Sequence, residues 1–210
     1  MESTLQPKAD APTKRRKGRP LSFDRANALR QAMLAFWRGG YEATSIASLT
    51  ADMGITAPSL YAAFGDKKQL FLEAMHLYAG PPGALAASLA AAPTAFDAVQ
   101  GMLHGAADAF TEPSTPPGCL LASATASGSE DSADIRAAVA AVRSEITEVL
   151  RARIDDDVAK GLLPAGTSSA ALAGLVVALV QGMSTLVRDG IDRESLDAII
   201  DTALRAWPHN

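Results

Sequence analysis

Between positions 24 and 37 the apolar residues Leu29, Ala32, Met33, Phe36 and Trp37 recur at i, i+3, i+4, i+7 and i+8, which predicts one buried face of a helix. Ser22 or Asp24 can cap its start, and Gly39-Gly40 ends it. A second short helix follows a cap at Thr44 or Ser45 and turns Ile46, Leu49 and Met53 towards the same core. Gly54 permits a left-handed turn, Ile55 plugs it, and Thr56 caps a third helix over Ala57 to Phe64. Pro58 falls in the first turn of that helix, where its missing N–H costs little. Asp66 caps a fourth helix carrying Leu70, Phe71, Met75 and Tyr78, and Gly80-Pro81-Pro82-Gly83 breaks the chain.

Beyond the break the 3.6-residue period continues. It predicts a short alanine-rich helix from Leu85 to Ala91 and a stripe of Phe96, Val99, Leu103, Ala107 and Phe110. A Pro-rich loop from 112 to 118 precedes a helix over Cys119 to Ser127 and a long one over Ser132 to Lys160. Two last helices are expected near Ser168 to Arg188 and Asp192 to Trp207. No useful strand-like alternation and no repeat interrupts the pattern, so the fold class is all-α. Residues 1–20 form a polar, basic arm, residues 21–80 a compact helical head, and residues 81–210 a larger helical body.

Charge gives this division a meaning. The net charge of −4 conceals a head and arm (residues 1–80) with 11 Lys+Arg against 7 Asp+Glu, and a body with 8 against 16. A tight helix pair with a glycine turn behind a basic arm is an arrangement that reads duplex DNA. The arm holds five basic residues in seven, including Arg15, Arg16, Lys17 and Arg19. Gly18-Arg19-Pro20 is slim enough to enter a narrow minor groove, whose potential attracts arginine. If all five met phosphates, log K against log[salt] would steepen by roughly 4 to 5 per subunit. A solvated charge run or a nuclear localisation signal are the other readings of the arm.

In the third helix Leu60 and Phe64 occupy the core side, which turns Ser59, Tyr61 and Ala62 outwards. Tyr61 can donate to a phosphate and press its ring on a sugar or a thymine methyl. Thr44 and Ser45 can hold a phosphate at a helix N-terminus or simply cap that helix. Ala57, Pro58 and Ala63 offer no side-chain hydrogen bond, so direct base readout by this helix is thin and DNA shape carries the rest.

Together, Phe36-Trp37-x-Gly-Gly-Tyr41, the Met53-Gly54-Ile55 turn, Pro58-Ser59-Leu60-Tyr61-x-x-Phe64 and Lys67 resemble the TetR family of bacterial transcriptional repressors over residues 24–78. The resemblance implies a three-helix DNA-binding head on a helical body that binds a small ligand and forms a homodimer. It implies that Tyr61 and Lys67 contact phosphates and that Thr56, Ala57, Pro58 and Ser59 lie nearest the base edges. Beyond residue 80 only the layout matches, with Pro117-Gly118-Cys119-Leu120-Leu121 like a segment in one branch of the family.

The remaining expectations concern the body. A ligand cavity is expected among residues 85–160, aliphatic and weakly polar because aromatics are only 5% of the chain, with Met75, Tyr78, Phe96, Met102, His104, Phe110 and Cys119 as candidate lining. Ala170, Gly174, Ala178 and Gly182 recur every fourth residue, a smooth stripe suited to a closely packed helix. With Leu196, Ile199, Ile200 and Leu204 it is expected to form a two-fold, four-helix dimer interface. Ordinary packing within the chain explains the same stripe, and a membrane span over Ala170 to Val187 is the weaker third choice, interrupted by Gln181, Ser184 and Thr185.

Asp155-Asp156-Asp157 reads as a solvated helix face. Cys119, the single cysteine, fits a cytosolic protein and reads as a small buried hydrophobe, with redox or metal sensing as the alternative. His76 and His104 do not form a metal-ligand pattern, and no catalytic or cofactor-binding motif is present. The functional expectation is a cytoplasmic, DNA-binding transcriptional regulator: a homodimeric repressor released from a near-palindromic operator by a small-molecule effector, with no cofactor. An activator, a ligand-independent DNA binder, and a helical ligand carrier or interaction module are the alternatives.

Overall fold

The computed structural model describes residues 23–124 and 132–209. Ten α-helices and no strand occur among the described residues. The head consists of α1 (Arg25–Ala43), α2 (Ile46–Met53), α3 (Ala57–Phe64) and α4 (Lys67–Ala79). Their starts follow the local chemistry of the chain: Asp24, Ser45, Thr56 and Asp66 each accept a hydrogen bond from a backbone N–H of the turn they open. Near its end α1 kinks at Gly40 (φ 74°), so the regular helix stops where the Gly39-Gly40 pair predicts. Ser22, the alternative cap, lies outside the described residues.

Phe36 forms the centre of the head. Its ring meets Phe71 edge-on at 5.2 Å and stacks on Tyr41 at 6.2 Å, while Leu49, Leu60 and Leu70 close around it without exposure. Burying these large apolar side chains contributes about 1.5–3 kcal/mol each and holds α1, α2, α3 and α4 in one unit.

The body comprises α5 (Ala84–Ala91), α6 (Ala95–Thr111), α7 (Leu120–Ser123), α8 (Ala133–Ala159), α9 (Ser169–Arg188) and α10 (Arg193–Leu204). α7 is a single turn, shorter than the helix expected to Ser127, and residues 125–127 lie outside the described residues. α9 lies along α8, and α10 packs on α6. The buried apolar residues of head and body form one continuous cluster, joined through α7, which packs against α1.

Asp157 corrects one expectation. It is 2% exposed rather than solvated. One carboxylate oxygen accepts from the Ala95 N–H at 2.6 Å, at the start of α6, and the other pairs with Arg153. Arg153 in turn donates to the carbonyls of Leu89 (3.2 Å), Ala92 (3.3 Å) and Pro93 (3.1 Å). The pair therefore satisfies the open carbonyls after α5 and an open amide of α6 together, which justifies a buried charge.

Candidate nucleic-acid interface

The turn between α2 and α3 depends on Gly54, whose φ of 66° is left-handed. The Gly54 N–H donates to Ala51 O at 3.3 Å and the Ile55 N–H to Thr50 O at 3.1 Å, closing the end of α2, and the Ile55 side chain packs on the core. Thr56 then opens α3: its hydroxyl accepts from the Ser59 N–H at 3.4 Å and shares a 2.9 Å hydrogen bond with the Ser59 hydroxyl.

α3 divides as its spacing predicts. Leu60 and Phe64 are buried, whereas Thr56, Pro58, Tyr61 and Ala62 are exposed and Ala57 and Ser59 are half-covered. Tyr61 is 49% exposed, a large aromatic with a free edge in solvent. An outward ring and hydroxyl on a short helix whose other face is anchored in the core is the geometry of a groove-reading helix.

Ser45 is exposed at the start of α2 and caps it by accepting from the Ser48 N–H at 3.0 Å. Thr44 behaves otherwise. It is buried, and its hydroxyl donates to Gly40 O at 2.6 Å, which fastens the kink of α1. Its side chain is therefore spent inside the fold, and Ser45 rather than Thr44 caps α2. Lys67 begins α4, and its ammonium donates to Glu42 O at 3.3 Å while sitting 4.5 Å above the Tyr41 ring. Burial lowers its pKa from the ordinary lysine range, with Glu42 opposing the shift. The fold thus fixes a cation near the chain that leads into α2. Arg15, Arg16, Lys17 and Arg19 lie outside the described residues.

The seven candidate cavity residues are distributed over head and body, with different neighbours. Met75 is buried in the head. Tyr78 meets Trp37 edge-on at 4.9 Å and donates to the Cys119 sulfur at 3.4 Å. Burial, then the Cys119 sulfur, pushes the Tyr78 phenol above its ordinary range, so it stays a donor. Phe96 stacks edge-on against Trp207, and His104 Nδ1 lies 2.9 Å from Asp197 on α10. Met102 is half-buried on α6, with Phe96 and His104. Phe110 borders an open concavity of about 470 Å³ that also touches Glu112, Pro117, Val187, Ile191 and Arg193. Helical periodicity identifies apolar positions, but it does not distinguish a side chain packed against its neighbours from one that lines a space. Among the described residues no group of His, Cys, Asp or Glu is placed to hold a metal.

The expected dimer residues separate into two sets. Ala170, Gly174, Ala178 and Gly182 are exposed along α9, and a Cβ at Gly174 or Gly182 would meet nothing within 4 Å. Leu196, Ile200 and Leu204 are buried within the chain, where α10 packs on α6, and Ile199 is half-buried. Their apolar stripe is real, but its partner is intrachain, so these three do not face a second subunit.

Comparison with known proteins shows the family. The family described as bacterial regulatory proteins, tetR family, matches residues 28–74, and a tetracyclin repressor-like C-terminal domain matches residues 95–204. The chain is 34% identical over 197 residues to the HTH-type transcriptional repressor ComR of Escherichia coli (strain K12), covering 93% of this chain and 94% of that protein. The chain belongs to the TetR family. It is a DNA-binding transcriptional regulator of that family. Among solved structures it is similar to the TetR family transcriptional regulator CifR, in a cysteine-substituted form complexed with 26-bp double-strand operator DNA. The identity is 41% and the TM-score 0.86, over 91% of this chain and all of that one. A TetR regulator from Rhodococcus sp. RHA1 matches at 37% identity and a TM-score of 0.58, over 89% of this chain and all of that one.

Arg25 was not distinguished by its local sequence, which places it simply in the first turn of α1. Its partners are 38 and 48 residues away, and no short-range signal marks them.

Proposed function

We propose that this TetR-family regulator is a homodimeric, cytoplasmic repressor that a small-molecule effector releases from a near-palindromic operator. The exposed face of α3 carries the reading: Tyr61 and the Thr56–Ser59 pair project from a helix whose other side is fixed in the head. Two such helices related by a two-fold axis reach successive major grooves when they stand about 34–36 Å apart.

The exposed face of α9 supports the dimer. Leu175 and Leu186 lie in solvent beside the alanine and glycine positions. The most apolar 18-residue stretch of the helix has a mean hydropathy of 2.0, and only 28% of that stretch is buried. A second copy covers this face and gives the two mid-helix glycines a reason, since each costs about 1 kcal/mol relative to alanine. A bilayer is the other cover for such a face, and it predicts that the protein sediments with membranes.

The signal path follows from the 112–119 loop, which touches α1, α4 and α9. An effector that moves this loop biases the separation of the two heads in a two-state manner. Titrating a library of small apolar compounds into the protein–operator complex tests the release. Dissociation by a compound that also shifts the thermal midpoint of the free protein supports it, and a complex indifferent to every compound favours a ligand-independent regulator. Transcription in vitro separates repressor from activator.

A further inference from the structure

α3 is eight residues long and carries no charged side chain, so its aim on DNA is set by how its two ends are held. The N-terminal end is held by the Thr56 cap and the Gly54 turn. The C-terminal end leaves carbonyls without intrahelical partners, and Gly65 satisfies only that of Tyr61. Arg25, from the first turn of α1, closes this end. Its Nε and Nη2 donate to Ala63 O at 3.4 and 3.3 Å, and its guanidinium carbon lies 4.4 Å from the centre of the Phe64 ring. The same Nη2 lies 2.8 and 2.7 Å from the two carboxylate oxygens of Glu73 on α4.

We propose that Arg25, fixed by Glu73, is a positioning residue for operator recognition: it fixes the C-terminal end of α3, and so the angle at which Tyr61 meets DNA, without itself touching DNA. A planar, always-charged guanidinium suits this task because it can stack on a ring, donate to a carbonyl and pair with a carboxylate at once. Its charge also sits at the negative end of the α3 dipole. Tyr61 is two residues before Ala63 on α3, less than one helical turn, so a tilt about the unanchored end displaces the Tyr61 ring directly. The inference rests on the DNA-binding reading of α3.

Charge sign separates positioning from plain electrostatic attraction. Glu73→Gln removes a negative charge from the head, which strengthens any purely electrostatic attraction to DNA. As part of a positioning device, the same change weakens binding. The test uses the full-length protein and a duplex that the wild type selects from random-sequence DNA. If the wild type selects none, the DNA-binding reading fails, independently of Arg25. On the selected duplex, Arg25→Ala and Glu73→Gln are each expected to raise Kd by about tenfold, with little change on scrambled DNA. Arg25→Lys keeps the charge but not the planar group, and is expected to recover less than half of that loss in log Kd.

The slope of log K against log[salt] is expected to stay at the wild-type value for all three, because no phosphate contact is lost. Tightening by Glu73→Gln, full recovery by Arg25→Lys, or a slope reduced by about 0.9 in Arg25→Ala overturns the proposal. Should Arg25→Ala lose its cooperative unfolding transition, Glu73→Gln decides by its sign.

Discussion

The indole Nε1 of Trp37 donates to the carbonyl oxygen of Gly118 at 3.0 Å, joining α1 of the DNA-reading head to the loop before α7 across 81 residues of sequence. Next to this bond, the Cys119 N–H donates to the Ser184 hydroxyl of α9 at 2.8 Å, and Ser123 bonds to both Cys119 O and Arg188. A short chain of buried polar contacts therefore runs from the proposed dimer helix to the helix that carries the head.

Gly118 has a φ of +78°, and a Cβ there would stand 2.7 Å from Ser184 O. Gly118→Ala is expected to destabilise the protein by about 2–4 kcal/mol, from backbone strain and the clash with α9 together. Chemical denaturation measures it. Retention of wild-type stability means that the loop and α9 approach less closely than described.

Trp37→Phe keeps an aromatic ring against Tyr78 but removes the donor to Gly118. A loss of about 1–2 kcal/mol is expected, because the Gly118 carbonyl is left buried without its partner. Denaturant midpoints of wild type and variant at one pH check this.

Asp157→Ala leaves Arg153 with only its longer, 3.4 Å contact to the Asp156 carboxylate and opens the N-terminus of α6. A cost of about 3–5 kcal/mol follows, far above a solvated aspartate's. Asp155, two residues earlier on the opposite, exposed face of α8, is the control and is expected to be near neutral when changed to Ala.

Leu175→Arg tests the α9 face. Leu175 is 53% exposed in the single chain, so the change costs an isolated subunit little. In the proposed dimer it buries two arginines against each other, and sedimentation equilibrium is expected to show monomers with unchanged helical circular dichroism. A mass that stays dimeric places the interface elsewhere.

The Asp197 carboxyl is held below the usual carboxylate range by its hydrogen bond from Arg193, with a smaller contribution from His104. A depressed folded-state pKa stabilises the fold above the unfolded value, near 4, and that contribution disappears as pH falls through the lower folded value. Asp197→Asn is therefore expected to lower the thermal midpoint at pH 7 slightly and to flatten its fall below about pH 4.

The head was largely legible in the sequence because its signals are local. Asp24, Ser45, Thr56 and Asp66 cap the helices they precede, and the spacing of Leu60 and Phe64 fixes which side of α3 faces out. What could not be read depends on distant partners. Thr44 and Ser45 are equal as caps in sequence, and only the Gly40 carbonyl draws the Thr44 hydroxyl inward. Leu196, Ile200 and Leu204 show an apolar face without showing that α6 covers it. Asp157 resembles its two neighbours until Ala95 and Arg153 arrive from elsewhere in the fold. The separate places of Phe96, His104 and Cys119 have the same cause: periodicity gives a helix's inner face, not the space between helices.

The most direct test of the account measures binding of the purified protein to a fluorescent duplex of its own upstream intergenic DNA at several salt concentrations, against a scrambled duplex. The expected result is binding that strongly prefers the native sequence, weakens steeply with salt, and loses about tenfold or more in Tyr61→Ala with the fold intact. Equal affinity for both duplexes, unchanged by Tyr61→Ala, contradicts the assignment of the α3 face as the operator-reading surface at that site.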